Sequence, residues 1–258
     1  MQVIYPNLIN SISASEEDTD YPVSNLYNAH TTDVWKAESK DATLRCQVAA
    51  GSVGSNAIAI FNTNAVTLDL TFRSGSLIIW ETGTRWLSNV GWDQTHTFAT
   101  ITTHLPDNKS QWIDYGDQTD PVDVTIDLEA APGEILYVGT VKAGYSYTFN
   151  DPQPGMSEGR ESMSIIKDLS YGYTYIKNQT QNARGFGGGL DIVRETDFYT
   201  LMHKIALNAG AKPLAWRLVN GLTNQDWVVL AYIVPGGMSG THSFPLDSEM
   251  SFSLMEAI

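Results

Sequence analysis

Hydrophobic and polar residues alternate along much of this chain with the two-residue period of β-strands. Over 67–72 (Thr-Leu-Asp-Leu-Thr-Phe) the alternation is strict, so one face of that strand is expected to be buried and the other wetted. Segments 56–61 and 66–72 flank the turn-forming residues Asn62, Thr63 and Asn64, and together they predict a hairpin. Strands are also expected over 76–81, 97–103, 111–114, 122–128 and 135–141, and 43–48 alternates around Cys46. Short strands broken by Gly, Asn, Asp and Pro, with no amphipathic helix between them, predict a β-sandwich for residues 1–149.

Asn150, Asp151, Pro152, Gln153, Pro154 and Gly155 form the densest cluster of breakers, and a domain boundary is placed there. Strand-like stretches follow at 162–169, 171–180 and 189–193, and then the period changes. Phe198, Leu201, Met202 and Ile205 recur at helical spacing, which predicts one amphipathic helix over 196–208, with Thr196 as N-cap and Gly210 as its stop. Strands over 214–219, 227–234 and 250–255, with a mobile loop through Pro235, Gly236, Gly237, Ser239 and Gly240, complete the second domain. The expected fold class is mainly β: an N-terminal jelly-roll β-sandwich, 1–149, then a smaller β domain, 150–258, carrying one amphipathic helix.

A hydrophobic share of 42% against 17% charged residues, with 12 Tyr, 8 Phe and 7 Trp, supplies enough apolar surface for two packed cores. The 15 basic residues face 29 acidic ones, a formal charge of -14, and no short window gathers Lys and Arg that could track a phosphate backbone. Nucleic acid is not an expected partner. The first ten residues lack the basic and long apolar regions of a signal peptide, and no run reaches the roughly 18 apolar residues of a membrane helix, so neither export nor membrane insertion is expected. Cys46 is the single cysteine, and its strand setting predicts a small buried hydrophobe in a reducing cytoplasm.

The side chains that carry chemistry are scattered. Gly185, Gly187, Gly188 and Gly189 lack the Lys-Ser/Thr and following helix of a phosphate loop, and they predict a turn or bulge. His30, His96, His104, His203 and His242 show no metal-ligand spacing. Asp114, Asp117, Asp120 and Asp123 offer oxygen ligands, but not at EF-hand spacing, and an acidic solvated loop is expected. No catalytic residue, cofactor or metal is assigned. Trp80 and Trp112 fall within strands and are expected in the core, while Trp86 and Trp92, flanked by small polar residues, are the candidate contacts for a glycan or another protein.

The segment from Ser13 through Glu16, Glu17, Asp18, Asp20, Tyr21, Pro22, Ser24, Asn25 and Leu26, followed by Asp33, Val34 and Trp35, resembles the opening of discoidin-like, galactose-binding-type jelly rolls. The resemblance implies that this loop orders the chain ends and that Trp35 packs under the sandwich. Phe61-Asn62-Thr63-Asn64 and Gln111-Trp112-Ile113 are similar to later strands of that family. Tyr21-Pro22-Val23-Ser24-Asn25-Leu26 near the start, the helix, Lys212-Pro213-Leu214 and the closing Ser251-Phe252-Ser253-Leu254-Met255-Glu256-Ala257-Ile258 resemble bacteriophage tail proteins.

That likeness implies a structural virion protein of the tail tip or baseplate, made in the host cytoplasm. It would assemble with like subunits, in a ring that is usually sixfold, and with other tail proteins. In this picture the second domain builds the ring, and segments 226–238 and 249–258 pair across subunits or onto neighbouring tail proteins; the alternative is that both are ordinary inner strands of one sandwich. An acidic lumen would let DNA pass without gripping it. The alternative is a carbohydrate-binding module that recognises a host-surface glycan through Trp86 or Trp92. A polysaccharide-cleaving enzyme would need two carboxylates held about 5 to 9 Å apart, which no motif supplies.

Overall fold

The chain was analysed as a computed structural model that describes residues 1–75, 77–81, 110–162, 165–169, 173–177, 182–190, 195–219, 227–244 and 247–257. The strand expected over 97–103 lies outside these residues, as do Trp86, Trp92, His96 and His104. The structure is mainly β and falls into two compact units: 1–149 with 214–230, and 150–213 with 231–258.

In the first unit the strands run in chain order β1 (Gln2–Asn7), β2 (Ile9–Ala14), β3 (Trp35–Lys36), β4 (Asp41–Val48), β5 (Ser55–Thr63), β6 (Ala65–Ser74), β7 (Leu77–Glu81), β8 (Gln111–Gln118), β9 (Val122–Ala130) and β10 (Tyr137–Thr148). They form two antiparallel layers. One layer has the order β2-β4-β9-β6-β7; in the other β1, β10, β5 and β8 lie side by side and β3 pairs with β10. This is a β-sandwich of jelly-roll type.

The alternation seen in the sequence becomes its core. Leu44, Cys46, Val48, Leu68, Leu70, Phe72, Val124, Ile126 and Leu128 point inward from one layer, and Ile58, Ile60, Ile113, Tyr115, Val141 and Ala143 from the other. Each large apolar side chain so buried contributes about 1.5–3 kcal/mol. Phe72 and Tyr115 stack across the layers with ring centroids 4.3 Å apart. Trp35 has no exposed surface and belongs to the same core. The hairpin expected around Asn62, Thr63 and Asn64 is not a ladder: β5 pairs with β10 and β8, while β6 pairs with β9 and β7, so the turn carries the chain from one layer to the other.

The second unit contains β11 (Ser157–Ser162), β12 (Ile165–Leu169), β13 (Tyr173–Lys177), β14 (Asn182–Leu190) and one helix, α1, over 195–209, whose middle part Thr200–Ala206 is π-helical. The chain then returns to the first unit as β15 (Leu214–Arg217), which pairs with β1. This differs from the expectation of a boundary at 150 crossed only once. β16 (Val228–Phe244) gives its first three residues to the first unit and the rest to the second, and β17 (Asp247–Glu256) ends the fold.

Within the second unit the order is β11-β14-β17-β16, with β12 and β13 forming a separate hairpin. Leu201 and Ile205 of α1 are fully buried, and Phe198 packs against Gly240 of β16. The helix therefore lays its apolar face on this sheet. Gly210 follows the helix with φ 57, as expected of its stop, whereas Thr196 lies inside the first turn and not at the cap.

Candidate functional site

The acidic opening of the first unit is spent on structure. Glu16 accepts hydrogen bonds from the backbone amide (2.9 Å) and hydroxyl (2.6 Å) of Ser39, and Glu17 accepts one from the Val23 amide at 2.7 Å. Asp18 caps the Asp20 amide at 2.8 Å, and Lys36 lies 3.5 Å above the Tyr21 ring. Tyr27, from the 3₁₀ turn Val23–Tyr27, reaches the Ile12 amide with its hydroxyl. These contacts tie the loop to the sandwich edge.

The outward face of the layer β2-β4-β9-β6 is different in kind. Strand register sets Ser11 beside Gln47, Gln47 beside Asp123 and Asp123 beside Arg73. The next row runs Ser13, Arg45, Thr125 and Thr71, and a third holds Thr43, Asp127 and Asp69. Because successive side chains point to opposite faces, the apolar partners on these strands fill the core and the polar set stands together outside.

Ser11 donates to Gln47 at 3.1 Å, and Thr43 to Asp127 at 2.5 Å. Arg45 and Asp123 are exposed and make no ion pair among the described residues. Ser11, Ser13, Arg45, Gln47, Asp123 and Thr125 rim a depression of about 450 Å³ whose floor is formed at Cys46 and Val124. Cys46 itself is buried, and burial pushes its thiol up to about 12, so it takes no part as a nucleophile.

On the other layer Trp112 is buried, as expected, but on the face turned away from the sandwich core, where its indole donates to Asp114 at 2.9 Å. Across β5 from it, on the far side of Ala59, lies Lys142. This lysine is 9% exposed with no carboxylate partner among the described residues, and burial holds its amine below the usual lysine range. Burial also pushes the Tyr115 phenol up to about 12; the Ser55 hydroxyl beside it pulls the other way, although the two do not reach hydrogen-bonding geometry.

The expected site residues are dispersed. Asp114 serves Trp112 and Arg217, Asp117 accepts from Asn56 at 2.9 Å, and Asp123 stands on the polar face, so these carboxylates do not gather into a metal-holding group. His203 stacks on Tyr199, and His30 is exposed. Trp86 and Trp92 lie outside the described residues. The glycine run, expected as a turn or bulge, is instead the interior of β14, paired on both sides with β11 and β17. Sequence reasoning missed that Arg45 and Asp123 share one face, having named Asp123 only as a possible oxygen ligand, and it missed Lys142. The first two were signalled by polar alternation in 43–47 and 123–127, which identifies a face only once the register joins the strands.

No family model matches the chain, and no curated protein matches it. Among solved structures it is similar to a chain in the crystal structure of reduced XRCC1 bound to the DNA pol beta catalytic domain, at 14% identity and TM-score 0.35. It is also similar to a mutant of chitosan-binding module 1 derived from a chitosanase/glucanase of Paenibacillus sp. IK-5, at 10% identity and TM-score 0.36. Each alignment covers 55% of this chain and 98% of the other.

Proposed function

We propose that the chain is a structural component of a bacteriophage tail tip, a distal-tail or baseplate protein that acts by assembling with like subunits and neighbouring tail proteins, not by catalysis. The likeness of its opening and closing segments to tail proteins supplies the context. The observation that carries the assembly reading is the hairpin β12–β13. Two strands alone bury too little surface to be stable in water. Among the described residues β12 and β13 pair only with each other, so this hairpin calls for a further partner. A neighbouring copy is the simplest cover, and head-to-tail repetition of one such contact closes a ring.

Edges point the same way. Among the described residues β11 is paired on one side only, by β14. β17 is paired on both sides by β14 and β16, so its backbone offers no free edge. Inter-subunit pairing is therefore assigned to β11 and the hairpin. Imaging of the virion at side-chain resolution tests this. The expected result is this chain in the tail, ringed by like subunits, six in the form its likeness implies. Absence from particles, or a single copy touching no like subunit, would overturn it.

The alternative, a module for a host-surface glycan, places the contact at Trp86 or Trp92. Titration of Trp86→Ala and Trp92→Ala variants on a glycan array tests that placement, and unchanged binding would remove it.

A further inference from the structure

We infer that the outward stripe of α1, formed by Tyr199, His203 and Leu207, is the surface on which a second copy of this chain seats its β11 edge. Leu207 and Tyr199 are 74% and 63% exposed, more than any other large apolar side chain among the described residues. They stand on one helix with the exposed His203 midway between them, while Leu201 and Ile205 carry the packing onto the sheet. His203 stacks on Tyr199 with ring centroids 5.0 Å apart, so the tyrosine is held against the helix. A single exposed apolar residue needs no explanation, but two on one stripe with a fixed ring make a patch that asks for cover.

The occupant follows from how a ring closes. One contact repeated head to tail uses two different patches on every subunit, one offered and one received. In the tail-tip reading, on which this inference rests, β11 and the hairpin are the offered patch, and they belong to the same unit as α1. The α1 stripe is the apolar surface left to receive them. Charge agrees with this pairing. The sequence from Phe198 to Leu214 holds Lys204 and Lys212 and no carboxylate, in a chain of formal charge -14, whereas 150–162 holds Asp151, Glu158 and Glu161 against Arg160. Lys212 and Glu158 are both exposed.

The test is sedimentation velocity on the full chain from about 1 μM to about 1 mM, beside a stripe variant, Tyr199→Ser/Leu207→Asp, and an edge variant, Gly159→Lys. Tyr199 and Leu207 are exposed and a side chain at Gly159 meets open space, so both variants should keep the wild-type circular dichroism. The expected result is that the wild type associates and each variant alone does so about tenfold or more weakly. Mixed one to one, where neither variant associates by itself, the two should form a dimer and stop: the intact edge of the first fits the intact stripe of the second, and no good pair remains to extend it. Lys212→Glu should weaken the contact, and Glu158→Lys in the same chain should restore it. A wild-type chain that stays monomeric, a stripe variant that associates like the wild type, or a mixture that yields no dimer would each overturn the inference. So would a particle in which like subunits form a ring with the α1 stripe bare or against a different protein, and that outcome would leave the tail-tip reading standing. Absence of the chain from particles ends that reading, while the contact between copies is decided by the sedimentation alone.

Discussion

Single residues show where local chemistry is governed by burial. The Lys142 amine is held below its ordinary range by lost hydration. Its folded pKa is lower than its unfolded one, so the unfolded chain binds the extra proton between the two values. The penalty on the folded state is complete below the folded pKa and fades as pH rises through that window towards 10.5. Lys142→Met is thus expected to raise unfolding free energy at pH 7 by on the order of 1 kcal/mol, with the gain shrinking in denaturant titrations as pH rises towards 10.5. Cys46 gives a second outcome: thiol reagents should modify no cysteine in the native protein and one after denaturation. The cysteine was legible in the sequence, because alternation put it on the apolar side of its strand. The lysine was not, since a strand lysine reads as solvated until the sheet face it occupies is known to be covered.

At the level of elements, the strands with clean alternation were legible and the glycine-rich ones were not. Glycine is a poor strand former, so 185–189 and 235–240 read as turns. Tertiary contacts overrule this. Gly188 lies under the Phe252 ring, and a side chain at Gly237 would press the carbonyl of Ser253, so these strands use glycine for close approach. The expected loop at 235–240 is a register shift within β16, between Ile233 and Met238, with Gly236 at φ 72.

Two substitutions probe elements directly. A Cβ on Gly144 would stand 2.1 Å from the Pro6 carbonyl, which is backbone and cannot turn aside. Gly144→Ala should therefore force β1 and β10 apart and cost at least about 1–3 kcal/mol in chemical denaturation. In the second unit Arg184 holds Glu256 through both carboxylate oxygens, at 3.1 and 3.0 Å, with both side chains nearly buried. Glu256→Gln removes the carboxylate charge that faces the Arg184 guanidinium in this buried pair and should cost on the order of 3 kcal/mol. Hydrogen exchange should quicken in β14 and β17 while β4 and β9 keep wild-type protection; equal quickening in both would refute the assignment.

For the whole molecule, the fold class was visible in the pattern, but the path of the chain was not. Nothing local in 214–217 marks it as a partner of β1, because strand pairing at such separation leaves no trace in a single sequence. The expected consequence is that a fragment 1–149 is not a sound domain. Without β15 one edge of β1 lies bare, and the fragment should aggregate or melt below the first unit of the full chain. A monomeric fragment with an unchanged melting temperature would show that β15 is dispensable.

The same pairing of Gln2 with Arg217 bears on how the protein is made. β1 leaves the ribosome roughly 200 residues before its partner β15. At about 5–20 residues per second the interval between them is roughly 10 to 40 s. Once β10 has been made, the nascent chain carries this strand with one side unoccupied while residues 150–213 of the second unit are synthesised in between. Synthesis in a cell therefore asks for a chaperone able to shield the nascent N-terminal strand, and slowing translation should lower the yield of soluble protein rather than raise it.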